Sequence, residues 1–290
     1  MSSSIRFEHV ARRFPGREAG APPVTALDDL DLEVAAGELV TLVGPSGCGK
    51  STLLDLVAGL SSPSSGRVLV DDREVTGPGL DRGVVFQQYA LLPWRTARAN
   101  VELGLEANGT PRRERAERAR EYLDLVGLAG FERHYPHELS GGMTQRVAIA
   151  RSLAFDPAVL LMDEPFAALD AQTRETLQDE LLRIWGRTGK TILFITHGID
   201  EAVYLGRRVA VLTARPGRVK GIVEVGDLPR GDPDTDVRSS PEFARARHRV
   251  WTSLRGETKR QGEHADRGAR PVKAETQHDR TQEARVDQHA

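Results

Sequence analysis

The sequence predicts an α/β fold built on a parallel sheet, and three observations carry that prediction. Residues 159–162 and Thr191–Ile195 are compact apolar runs, the pattern of strands covered on both faces. A long amphipathic segment over 171–185 lies between them with the spacing of a crossover helix. Residues 38–43 form another apolar strand that ends in glycine and runs into a helical pattern over 50–60.

The remaining elements follow in chain order. Residues 5–40 read as short β segments with turns around Pro15-Gly16 and 20–23, and 30–34 alternates apolar with acidic residues as a half-exposed strand does. The helix over 50–60 is stopped by the Ser, Pro and Gly residues of 61–66, and 83–86 is a short buried strand. From 96 to 128 the periodicity becomes helical and the surface heavily charged, which predicts a helical insert between strands of the core. A further helix runs through 145–153. After about Gly231 the apolar periodicity fades, and 255–290 is almost wholly charged and polar without an aromatic residue. Such a segment buries too little apolar surface to offset its ordering entropy, so disorder is expected there. There is no internal repeat.

Composition narrows the function classes. A chain of 290 residues that is 39% hydrophobic and 28% charged has room for one large α/β domain or two small ones. The net charge of -2 and pI near 6.5 argue against a general nucleic-acid binder. No apolar run approaches the 18 or so residues of a membrane span, and residues 1–13 lack the apolar middle of a secretory signal. The one cysteine, Cys48, excludes an intramolecular disulfide and suits a reducing compartment. A soluble, cytoplasmic chain is expected, with any membrane link made through a partner.

Gly44, Pro45, Ser46, Gly47, Cys48, Gly49, Lys50 and Ser51 fit the pattern G-x-x-x-x-G-K-[ST] between a strand and a helix. Glycines let backbone amides turn inward around a phosphate, and the helix start adds its positive dipole end. Lys50 supplies a point charge for the β- and γ-phosphates, the Ser51 hydroxyl can coordinate Mg2+, and Thr52 can donate to an α-phosphate oxygen. ATP with Mg2+ is the expected ligand, although kinases, GTPases and motors share such a loop. A thiol inside the loop is expected to block nucleotide binding when alkylated.

Asp163 and Glu164 end an apolar strand at the carboxyl edge of the sheet, where ligands bind. Asp163 is expected to hold Mg2+ and Glu164 to act as general base on the attacking water. Alone, such a pair reads equally as surface or capping acids after a buried strand. Ser140, Gly141 and Gly142 open another helix and form a second anion site, or on their own an ordinary serine cap with flexible glycines. Two γ-phosphate sites for one nucleotide imply that copies of the chain share them, as a homodimer. His197 follows Thr191–Ile195 at the same edge and is expected to contact the γ-phosphate. Gln87 follows the strand over 83–86, within reach of Mg2+ and the water.

Taken together, residues 44–51, Gln87, 139–143, 162–164, Ala168-Leu169-Asp170 and His197 resemble the ATP-binding subunit of an ATP-binding-cassette (ABC) transporter over roughly 5–225. The resemblance implies a P-loop NTPase (RecA-like) core with an N-terminal antiparallel β subdomain and an inserted α-helical subdomain. On that basis residues 1–230 form the ATPase domain, with the helical part at about 90–155. Residues 231–290 form a charged C-terminal extension. It also implies that Phe14 stacks on adenine, with a packing role as the alternative, and that Asp170 lies in the loop crossing between subunits.

A narrower resemblance, to importers of taurine, sulfonates and nitrate, rests on 75–79, 81–87, 91–95, 139–143 and 214–218. It implies permease membrane subunits as partners, an extracytoplasmic solute-binding protein indirectly, no nucleic acid, and a peripheral position on the cytoplasmic face of the inner membrane. Leu91, Leu92 and Trp94 are then exposed for docking, or Trp94 plugs the helical part onto the core. Thr144 and Gly198 depart from the usual arginine and aspartate. A soluble ABC ATPase acting on ribosomes or DNA is the alternative, as is a catalytically silent regulatory subunit.

Overall fold

The computed structural model describes residues 2–16, 20–226, 228, 230 and 236–268, with side chains described as far as 256. Two sheets organise the chain. The first is antiparallel, formed by β1 (Ile5–Phe14), β2 (Val24–Val34), β4 (Ser65–Val70) and β5 (Arg73–Glu74) in the order β2-β1-β4-β5. The second holds β3 (Leu39–Val43), β6 (Arg82–Val85), β7 (Val159–Asp163), β8 (Thr191–Ile195), β9 (Arg208–Leu212) and β10 (Val219–Glu224) in the order β10-β9-β3-β8-β7-β6. Within it β9, β3, β8, β7 and β6 run parallel, and β10 closes the edge antiparallel to β9.

Every residue of β3 and β8 is buried, as their unbroken apolar runs require of strands covered on both faces. Alternate side chains feed two cores. Leu160 and Met162 of β7 and Ile192 and Phe194 of β8 face one, whereas Val159, Leu161, Leu193 and Ile195 face the other. The second core is shared with α1 (Lys50–Ala58) and the antiparallel sheet. The first is shared with α5 (Ala171–Thr188) and α6 (Ile199–Leu205) and with the insert between β6 and β7.

That insert consists of α2 (Ala97–Ala107), α3 (Arg112–Leu125) and α4 (Gly141–Ala154), packed on one another. Asn100, fully buried in α2, donates to the carbonyls of Leu92, Arg95 and Thr96 and accepts from Leu92 N. A buried amide satisfied four times over fixes the backbone of 92–96. It holds Trp94 outward with 71% of its surface exposed, which excludes the plugging alternative. Leu91 and Leu92 are half-buried, and Leu91 packs on the core, so of the three expected exposed residues only Trp94 stands clear.

The C-terminal extension departs from the sequence reading. After a short 3-10 turn (Val237–Ser239), α7 runs Pro241–Gly268, including 255–268 where disorder is expected. Phe243, Ala246 and Val250 are buried in the first core and Leu254 packs against it. Their spacing of three and four residues is one helical stripe, diluted by the arginines between them. The rest of the expected disordered tail, 269–290, lies outside the described residues.

Candidate functional site

Strand register brings the carboxyl ends of β3, β8, β7 and β6 to one edge. Leu42 pairs with Ile195, Ile195 with Asp163, and Met162 with Val85. Gly44, His197, Glu164 and Gln87 therefore leave adjacent strands side by side.

Residues 44–49 turn from β3 into α1. Gly49 is the N-cap at φ 102, and a Cβ there would lie 2.7 Å from Leu27 Cδ2, so only glycine fits. No side chain caps α1, which leaves its first backbone N–H groups for an anion. Lys50 is buried and its Nζ donates to the carbonyls of Gly44 (2.9 Å) and Pro45 (3.2 Å), which holds the ammonium inside the loop. Cys48 is buried as well. Its Sγ stands 2.8 Å from where a Cβ on Gly44 would be, and burial pushes the thiol's pKa up. Alkylation of this thiol is therefore slowed, because the reactive form is the thiolate and the side chain is covered. Thr52, in the first turn of α1, is half-buried.

Burial raises the Asp163 carboxyl above the usual carboxylate range, against a hydrogen bond from Ser51 that lowers it, with Glu164 and Asp55 adding to the rise. Glu164 occupies the left-handed region at φ 44, a conformation few non-glycine residues adopt, pinned by its N–H to Ile195 O at 3.0 Å. Its Oε2 lies 3.1 Å from His197 Nδ1. The strained turn thus directs the carboxylate to the histidine.

Ser140, Gly141 and Gly142 sit elsewhere. Ser140 caps α4, accepting from Met143 N at 3.3 Å, and is exposed with Gly141. A Cβ on Gly142 would come within 2.7 Å of Thr173 Cγ2, so this helix start abuts that of α5. There Asp170 caps α5 by accepting from Thr173 N at 2.9 Å, a bond that lowers its pKa. Thr144 donates to Ser140 O, a local bond in place of the usual arginine's charge. The cavity beside the phosphate loop is walled by Gly44, Pro45, Ser46, His197, Ile199 and three α7 residues, Trp251, Leu254 and Arg255, and not by Ser140 to Gly142. Two clusters result: the loop with Asp163, Glu164 and His197, and Ser140–Gly142 with Asp170. Gln87 is exposed at the edge, and Phe14, 39% exposed at the end of β1, has the Arg12 guanidinium 4.8 Å over its ring.

Comparison with known proteins gives this geometry its family. The model of the family described as ABC transporter matches residues 27–167. An uncharacterized ABC transporter ATP-binding protein of Methanocaldococcus jannaschii is 54% identical, across 89% of this chain and 93% of its own length. This chain belongs to the ABC transporter ATP-binding proteins. As a member it binds ATP and is an ATPase, and the ribosome or DNA alternative finds no support. The nitrate import ATP-binding protein NrtD of Synechocystis sp. is 51% identical over 80% of this chain and 89% of its own. The taurine import ATP-binding protein TauB of Yersinia pestis is 50% identical over 78% and 89%. The dimeric ABC transporter cassette MJ0796 shares the fold at a TM-score of 0.66 with 35% identity, covering 76% of this chain and 98% of that one, and a post-hydrolysis state of it with ADP and Pi matches equally.

Sequence reasoning missed the residues that join the site to the C-terminal extension. Arg238 of the 3-10 turn reaches Gln178 of α5, and Trp251 and Arg255 of α7 stand beside the loop. The available signal was the apolar stripe of α7, which places that helix on the core.

Proposed function

We propose that the protein is the ATP-hydrolysing subunit of an importer for a small anion such as nitrate or a sulfonate like taurine. Two copies work together on a membrane permease. The observation that supports this most directly is the division of the phosphate-binding features into two separate clusters on one chain. A second copy then presents its Ser140, Gly141, Gly142 and Asp170 to the nucleotide held on residues 44–52 of the first. Near-equal identity to a nitrate and a taurine import protein supports the class of cargo. Residues 1–230 make up the ATPase domain in this reading, and 231–290 are an extension of it.

Phosphates bind the amides at the start of α1 and the ammonium of Lys50, which exchanges its carbonyl partners for phosphate oxygens. The hard oxygens of Ser51 and Asp163, already hydrogen-bonded to each other, fit Mg2+, and Gln87 completes that side. When bound, the ion neutralises charge on the β- and γ-phosphates. Glu164 takes a proton from water, whose oxygen bonds to the γ-phosphorus as the bond to the ADP oxygen breaks. His197 holds the Glu164 carboxylate by donating from Nδ1, and with its ring doubly protonated it also donates from Nε2 to a γ-phosphate oxygen. Phe14 stacks on the adenine. Trp94 docks on the permease at the cytoplasmic face of the membrane, and a solute-binding protein delivers the anion from the other side. Among the described residues no helix is long and apolar enough to cross a membrane.

Glu164→Gln removes the base but keeps the shape. The purified variant is expected to accumulate as an ATP-bound dimer on size-exclusion chromatography and to lose roughly 100-fold or more in hydrolysis. A variant that stays monomeric at saturating ATP, even with the permease, would exclude the shared site.

A further inference from the structure

A chain of hydrogen bonds runs from the C-terminal extension to the turn that carries His197. Arg238 Nη2 donates to Gln178 Oε1 at 2.5 Å. Gln178 Nε2 donates to Glu201 Oε1 at 2.8 Å. The other oxygen of Glu201 accepts from the Thr196 hydroxyl, and Thr196 Oγ1 accepts from Gly198 N at 2.9 Å. Thr196 and Gln178 are each 2% exposed. The links join four elements: the 3-10 turn, α5, α6 and the end of β8.

Each link constrains the next. Arg238 has only donors, so it fixes the Gln178 amide with its oxygen toward the guanidinium and its NH2 toward Glu201. Glu201, accepting only, directs the Thr196 proton to itself and leaves a Thr196 lone pair for the N–H of Gly198. His197 lies between the two residues so joined. Glycine at 198, with φ -83, adds no side chain of its own to brace the turn. The cavity between α5, α6 and the extension, about 390 Å³, has Glu164 and His197 in one wall and Arg238 in another. Arg238 is itself held firmly. Val237 beside it is buried, Asp236 accepts from Arg238 N at 3.2 Å, and the guanidinium lies 3.9 Å over the Tyr204 ring, with Glu175 3.7 Å from Nε. A charged donor at the end of a buried polar chain strengthens and orders its members.

We infer that Arg238 is a positioning residue for hydrolysis, acting on His197 through Gln178, Glu201 and Thr196. The extension beyond residue 230 thereby takes part in setting the hydrolytic rate. This rests on the assignment of His197 to the γ-phosphate made above.

The test measures kcat and KM for ATP on full-length Arg238→Ala, Glu201→Ala and the double variant, with His197→Ala and thermal midpoints alongside. Arg238→Ala is expected to lower kcat roughly tenfold or more, since small misplacements at a reacting centre cost up to about 100-fold, with KM for ATP nearly unchanged. In the Glu201→Ala background it should cost nothing further, because the chain is already cut. Arg238→Lys, which can still donate to Gln178, should recover part of the rate. An unchanged kcat, an equal loss in both backgrounds, or a change confined to KM would overturn the inference. Should Arg238→Ala fail to fold, Gln178→Leu replaces it: a similar kcat loss supports the relay and an unaltered kcat overturns it. Wild-type hydrolysis by His197→Ala would instead overturn the underlying assignment of His197.

Discussion

Asp163 sits where burial works against its charge, and the Ser51 hydroxyl offsets only part of that cost. A carboxyl whose folded pKa lies above its unfolded value binds its proton more tightly in the folded state. Its contribution to stability is full below the unfolded pKa and is lost as pH rises through the folded one. At neutral pH the ionised group therefore destabilises the fold. Asp163→Asn is expected to raise the thermal midpoint at pH 7 while abolishing Mg2+-dependent hydrolysis, and the gain should shrink as pH falls into the usual carboxylate range. A midpoint that drops at pH 7, measured by calorimetry across pH, would contradict this. Glu164, the proposed general base, is a second case of local cost, held at positive φ by Ile195 O with its carboxylate at His197. The phosphate loop, Asp163 and Glu164 were legible from the sequence because contiguous residues carry them. Gln178, Glu201 and Arg238 were not, since 60 residues of chain separate Gln178 from Arg238.

At the scale of elements, α7 is the largest revision. Arginine-rich composition hides its apolar stripe, and the stripe makes sense only against the face of α6, β9 and β10 on which it packs. Lys220 Nζ to Ser253 O and Arg249 Nη2 to Glu224 O tie its middle to β10. Truncation after Ser240 strips Phe243 and Val250 from the core, at roughly 1.5–3 kcal/mol for each buried side chain. A chain ending at Gly256 keeps both. The shorter chain is expected to unfold at clearly lower urea concentration than the longer one, with the longer close to the full-length protein. Equal midpoints for all three would show that α7 adds nothing to the fold. Strands β3, β6, β7 and β8, by contrast, were legible to within a residue or two, because their continuous apolar runs need no partner to be recognised. β4, β5, β9 and β10 escaped; β4 buries only Val68, Leu69 and Val70, and its pairing with β1 lies across the chain.

For the whole molecule, the separation of Ser140–Gly142 from the loop of the same chain makes a complementation test possible. Lys50→Ala damages the loop, and Gly142→Asp puts a carboxylate at the start of α4, where a Cβ would meet the tip of Thr173 at 2.7 Å. Each variant alone should be inactive, having both shared sites damaged. Mixed in equal amounts, they form hybrids in which one site carries both lesions and the other carries neither. Hydrolysis should therefore return in the mixture in phosphate-release assays. A mixture as inactive as its components would exclude sharing between copies.

The sequence by itself determined the phosphate loop, the acidic strand end, the parallel core and the helical insert, because each is written in neighbouring residues whose spacing reports local geometry. Only the tertiary structure decided that Gly142 abuts Thr173, that Trp94 points outward, that Cys48 is buried, and that a hydrogen-bond chain from Arg238 ends at the turn of His197. Those facts depend on which distant segments the topology brings together. Local pattern carries no record of a side chain's partner when the partner lies on another strand or helix.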